Sequence, residues 1–365
     1  MHVLAGHGDR ASAPLERALT LAERLRLSEV FIQALTSKAL VLMYDGRLAE
    51  ARILLEAAAE QAHAEQFHAA ELRAGNNLCG LIEFSDRFSE VVALGERLVA
   101  LARRRGDRRW ESNLRTGMLR PLYLLGRWQE AFTIASEEEP HAVNEGARME
   151  LLGAAFMHCE RGDLGLADAL LASTEPARHS DNVQSRTGYA GVEARVLRAH
   201  GQHAAALAAA ERGLAALAEL SITDSTVKAA LLEATEAALA LPDLEKADEL
   251  LAIPEALDPG QLTPLLHAHS LRLRARLDAA RDNHQQVDEH FCAATALYCE
   301  FDLTFHQAVS QLEHADWLTG QDRVEEAEPL LTEAHHTFEQ LQATPWRERT
   351  ARALPAQREA EAAIS

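Results

Sequence analysis

GRLAEA at residues 46–51, DRFSEV at 86–91 and GRWQEA at 126–131 are variants of one six-residue element, a turn residue followed five positions later by a small one. The element returns as GDLGLA at 162–167, GQHAAA at 201–206, PDLEKA at 242–247, DNHQQV at 282–287 and DRVEEA at 322–327. Successive intervals are 40, 40, 36, 39, 41, 40 and 40 residues, the signature of a repeat array. Gly ends a helix by taking the left-handed conformation, and Asp fills a similar turn position. The residues after the turn are helix formers, often with Glu in the first turn, where the helix dipole favours negative charge. Each element therefore reads as the bend of a helical hairpin, with one helix before it and one after.

Two further sets of positions support this register. Five residues after the turn stand Ala51, Val91, Ala131, Ala167, Ala206, Ala247, Val287 and Ala327, all small. Seven residues before it stand Ala39, Cys79, Leu119, Ala155, Ala194, Thr235, Ala275 and Ala315, all small except Leu119. Helices that cross closely need small side chains at the crossing, because a bulky one holds the axes apart. Between those points apolar residues fall at three-and-four spacing, as in Leu78, Leu81 and Ile82 before the bend and Phe88, Val92, Leu98 and Leu101 after it. Arg105-Gly106-Asp107, Glu139-Pro140-His141, Thr174-Glu175-Pro176, residues 254–260 and Ala343-Thr344-Pro345 read as the turns between repeats, with Pro140 cutting one second helix short. Residues 173–182 form the longest polar connection and are expected to be a mobile loop.

Composition agrees with an all-α chain. Of the 365 residues, 47% are apolar but only 5% aromatic; Ala and Leu dominate, and no strand-length run of alternating β-branched residues occurs. The formal net charge of −20 disfavours phosphate backbones, so no nucleic-acid partner is expected. Cys79, Cys159, Cys292 and Cys299 make no CxxC pair and read as buried small hydrophobes in a reducing compartment, with Cys292 and Cys299 two turns apart on one core face. The start of the chain has no secretory pattern, and no run of eighteen apolar residues occurs, which together predict a cytoplasmic protein without a membrane span.

The small–turn–small frame, with Asn76-Asn77-Leu78 in one first helix, resembles the tetratricopeptide (TPR) repeat. The period here is longer than the usual ~34 residues, and Leu and Ala replace most of the bulky aromatics. Residues 43–58, 106–131 and 337–354 look like the TPR-like regions that follow STAND/AAA ATPase modules in bacterial adenylyl or guanylyl cyclases and LuxR-type regulators. The resemblance implies a right-handed α-solenoid of about eight helix–turn–helix repeats that binds a protein or peptide partner in bacterial signalling. Residues 28–345 would hold eight hairpins and 346–365 a C-terminal capping helix or tail. There is no GxxxxGK[ST] loop, no cyclase carboxylate pair, and too short a segment after Trp346 for a helix-turn-helix module. The alternative reading is the detached sensor region of an ATPase-containing cyclase or LuxR-type regulator.

Residues 1–27 read as the second helix of a truncated hairpin, since Gly8 and Ala13 repeat the bend element with too little chain before them for a first helix. Its apolar residues Leu15, Leu19 and Leu25 would lie uncovered, so the chain is expected to be part of a longer protein or to dimerise through that helix.

No catalytic, cofactor or metal residue is expected, and the chain reads as a non-enzyme. Among the seventeen histidines there is no HExxH; His200 and His203 flank a bend, and His267 and His269 point to opposite sides of a helix. Cys159 and His158 are helix neighbours that do not face each other, and GxSxG is absent. Arg103, Arg104 and Arg105 with Arg108 and Arg109 read as a cationic helix end rather than an anion site, and Glu137-Glu138-Glu139 as a solvated one. The TPR resemblance puts the first helices on the concave side. There Arg73, Asn76, Asn113, Thr116, Arg120 and Tyr123 share one face within each helix, a set suited to a peptide backbone or carboxylate. A small effector inside the superhelix is a further expectation.

Overall fold

The computed structural model describes residues 8–138, 149 and 151–354, and no strand occurs among them. Eight bends join eight pairs of helices. The first three pairs are α2 (Ser28–Tyr44) with α3 (Leu48–Ala64), α4 (His68–Phe84) with α5 (Phe88–Arg105), and the broken helix α6 (Arg108–Thr116) plus α7 (Leu119–Leu124) with α8 (Trp128–Glu137). Next come α9 (Ala154–Arg161) with α10 (Leu164–Ser173), α11 (Val183–Ala199) with α12 (His203–Leu214), and α13 (Ser225–Ala240) with α14 (Leu244–Glu255). The last two are α15 (Pro264–Ala280) with α16 (Val287–Glu300) and α17 (Thr304–Gly320) with α18 (Val324–Leu341); α1 (Gly8–Arg24) precedes the set and α19 (Thr344–Ala353) follows it.

The bends form where the six-residue element places them. Gly46, Asp86, Gly126, Gly162, Gly201, Asp282 and Asp322 have φ between 57° and 85°, and Pro242 has φ 28°. All eight small residues five positions later are at most 2% exposed, which is how the paired helices cross closely. A second set of left-handed residues, Arg26, Gln66, Gly106, Asp302 and Gln342, ends second helices about 20 residues from the bends; of these the sequence marks Gly106 as a turn and places the turn of Gln342 one residue later. Helices α1 to α4, α16 and α17 are each followed by a three-residue turn. The middle departs from this rule. Residues 173–182 are not an open loop but carry a 3₁₀ turn, Glu175–His179, that buries Thr174 and Ala177. Helix α14 runs through Pro254, so that turn begins later than expected. The turn around Pro140 lies outside the described residues. The first helix of the third pair breaks at Gly117 because Pro121, four residues on, has no N–H to give the Gly117 carbonyl.

Consecutive helices pack on each other, and each first helix also touches the next one, as in α2 with α4, α11 with α13 and α13 with α15. On α1, Ala22 is buried, while Leu21, with Leu25 and Leu27 in the turn that follows and Val30 on α2, is about half exposed or more. Longer-range contacts follow a single rule. Leu265 N donates to Asp86 Oδ2 (2.8 Å) across 179 residues, Thr304 Oγ1 to Leu125 O (3.5 Å) across 179, and Arg161 Nε to Leu341 O (3.2 Å) across 180. Tyr44 likewise packs against the cluster formed by α11 to α15. The first four bends therefore meet the N-terminal ends of α13, α15, α17 and α19, and one apolar cluster holds Leu119, Tyr123 and Trp128 together with Phe305, Phe338 and Leu341.

Because Ala206 is fully buried at a crossing, Ala206→Leu should cost about 1–3 kcal/mol in urea unfolding, whereas the exposed Ala204→Leu should change stability by less than about 0.5 kcal/mol.

Candidate functional site

The first helices carry polar residues three or four positions apart, so each presents a polar stripe. In the folded chain these stripes join into one ladder that runs from hairpin to hairpin. Arg73 on α4 donates to Gln33 O (3.0 Å), Gln33 Oε1 (2.6 Å) and Ser37 Oγ (2.9 Å) on α2. Asn113 Nδ2 on α6 donates to Asn76 Oδ1 (3.0 Å), and Arg120 Nη1 on α7 to Glu83 Oε1 (3.0 Å). Tyr123 OH reaches Glu160 Oε1 (3.5 Å) on α9, and Glu160 pairs with Arg195 on α11. Arg198 donates to Glu233 Oε2 (2.7 Å) on α13, Glu236 pairs with Arg272 on α15, and Arg272 Nη1 donates to Glu313 Oε2 (2.8 Å) on α17. Arg276 closes the end, donating to Glu236 Oε2 at 2.6 Å and lying 3.1 Å from Glu313 Oε1.

Burial increases along the ladder. Arg73, Asn76, Asn113 and Arg120 are half-buried, whereas Glu160, Arg195, Glu233 and Arg272 are 2–5% exposed. Buried charges persist only when paired, and here each carboxylate faces a guanidinium. Burial pushes the Glu160 carboxyl up despite Arg195 beside it. Burial also opposes ionisation of Glu236, yet Arg276 and Arg272 hold it well below the usual carboxylate range.

Beside the ladder's buried half is a cavity of about 80 Å³. One wall is aromatic: Tyr123 lies 5.9 Å from Phe156, 6.3 Å from Phe305 and 6.2 Å from His306 between ring centroids. Trp346 completes this wall by donating from Nε1 to Glu160 Oε2 (2.7 Å). The other wall carries Arg198, Glu233, Glu236 and Arg272. His269 also lines it, with its Nδ1 2.7 Å from Tyr298 OH. Lys228, 3% exposed, leaves this side to pair with Asp86 and donate to Phe84 O (3.2 Å).

The six residues read from the sequence do not form one open patch. Arg120 and Tyr123 line the cavity. Arg73, Asn76 and Asn113 sit on the half-buried part of the ladder, away from it. Thr116 is fully buried, and its hydroxyl donates to Ser112 O (3.0 Å) in its own helix. Sequence reasoning missed the ladder's larger half, Glu160 to Glu313. Its signal was the recurrence of a charged residue two to ten positions before each bend. Two cysteines also differ from expectation: Cys292 and Cys299 are exposed, because the buried stripe of α16 is Val287, Phe291, Ala294 and Tyr298, and each cysteine stands one residue beyond it. Among the described residues no helix is long and apolar enough to cross a membrane. Neither a protein-family model nor a curated protein matches the chain.

Burial depresses His306 to about 3, and His269 moves in the same direction. Below the ordinary imidazole value the unfolded chain binds protons that the folded chain refuses, so stability falls as pH drops from about 6.5 toward 3. Urea titrations should show His306→Phe removing up to about 1.4 kcal/mol per pH unit of that slope.

Proposed function

We propose that this chain is a non-catalytic binding scaffold, a right-handed α-solenoid of about eight TPR-like repeats that holds a protein or peptide partner in bacterial signalling. The observation that carries this reading is the gradient of burial along the polar ladder. Its buried half is saturated by its own ion pairs and serves to lock neighbouring hairpins together. Its half-buried end keeps Arg73, Asn76, Asn113 and Arg120 within reach of solvent on successive first helices. Amide and guanidinium groups spaced in this way suit the carbonyls of an extended peptide or a terminal carboxylate. The cavity favours a second reading, a small effector seated against Tyr123 and Trp346, which would raise the melting temperature on binding.

A partner recovered by pull-down from native lysate provides the test of the first reading. With circular dichroism unchanged, Arg73→Ala combined with Arg120→Ala should weaken its binding about tenfold or more, equivalent to about 1.4 kcal/mol. Unchanged affinity would remove these residues from the interface.

A further inference from the structure

We propose that Asp288, Cys292 and His314 form a binding site for a zinc-class divalent cation where the seventh hairpin meets the eighth. Asp288 and Cys292 stand one turn apart on α16 and so share a face; His314 reaches that face from α17. Their donor atoms all lie within 4.8 Å of one another. His314 Nε2 is 2.8 Å from Asp288 Oδ1, and Cys292 Sγ is 3.9 Å from the same oxygen. A tetrahedral ion with N or O ligands at about 2.0–2.1 Å and sulfur at about 2.3 Å separates its ligand atoms by about 3.3–3.5 Å. The oxygen and nitrogen must therefore part by roughly half an ångström, and the sulfur must approach the oxygen by a similar amount and the nitrogen by up to about 1.3 Å, a movement that side-chain rotation of the exposed cysteine supplies.

The surroundings hold these three groups as outer residues hold metal ligands. The His314 ring stacks on Phe291 (centroids 5.2 Å, planes 16° apart) and on Trp317 (6.1 Å, 28°), which fixes its plane. Arg323 Nη1 holds Asp288 Oδ2 at 2.8 Å and leaves Oδ1 to face the histidine and the thiol. The cysteine is exposed and the aspartate half-exposed, so an ion can enter and keep a water as fourth ligand. On binding, the cation takes the lone pair of Nε2, with the ring proton on Nδ1, and the Cys292 S–H bond gives way to a sulfur–metal bond as its proton passes to solvent. One carboxylate, one thiolate and a neutral imidazole cancel the double positive charge. A mixed sulfur, nitrogen and oxygen set of this kind favours zinc and its neighbours over magnesium or calcium.

Cobalt(II) alone, titrated into the purified full chain, tests the site. One equivalent should give a near-ultraviolet thiolate-to-cobalt charge-transfer band that zinc displaces. Cys292→Ser, a change at an exposed position, should abolish the band, Cys299→Ser should leave it intact, and Asp288→Asn should weaken cobalt affinity about tenfold or more. Absence of the band at millimolar cobalt, or its loss in Cys299→Ser and not in Cys292→Ser, would overturn the proposal.

Discussion

The carboxylate of Asp86 holds two distant parts of the chain together. It sits at a bend, in the left-handed conformation, and is 1% exposed. One oxygen pairs with Lys228 and the other accepts from Leu265 N. Leu265 is the second residue of α15, where a helix leaves its N–H groups without intrahelical acceptors. A bend thus caps the first turn of a helix across 179 residues of sequence. Ion pairs this deeply buried add little net stability over apolar packing, but removing one partner is costly, so their main effect here is to fix one register.

That register propagates. Once Asp86 meets Leu265, a period near 40 places Gly126 against Thr304 and Gly162 against Pro345. A Cβ built at those glycines would lie 3.0 Å and 3.2 Å from the facing side chains, a tight approach that adds to their left-handed backbone in favouring glycine. The same closure lays the aromatic cluster of the third hairpin on Phe305 and Trp346, and it turns the C-terminal half of the polar ladder from a solvated stripe into a buried one. The cavity, the depressed histidines and the paired arginines all follow from this step.

The contrast between what the sequence disclosed and what it hid follows from the range of the forces involved. The bends were legible because Gly and Asp favour left-handed backbone on their own account. The crossings were legible because close helices exclude bulk, so Ala and Val recur at fixed distance from each bend. Arg26 and Gln66 were not legible as turns: they have no local preference for positive φ, and packing of the flanking helices imposes it. The ladder was half legible. Arg73 to Tyr123 stood out as a polar face, but nothing local says that Arg195 or Arg272 will be buried, because that follows from packing between hairpins. Asp288, Cys292 and His314 stayed hidden for a similar reason: the boundary between two hairpins separates them in sequence.

The exchange rate of the Leu265 amide tests the closure most directly. An N–H in the first turn of a helix ordinarily exchanges fast, because no intrahelical carbonyl protects it. If Asp86 caps it, residue-resolved hydrogen exchange will place Leu265 among the slow amides of the wild-type chain. Asp86→Ala will then free it, while the interior amides of α4 and α15 stay protected. Fast exchange at Leu265 in the wild-type chain would contradict the account.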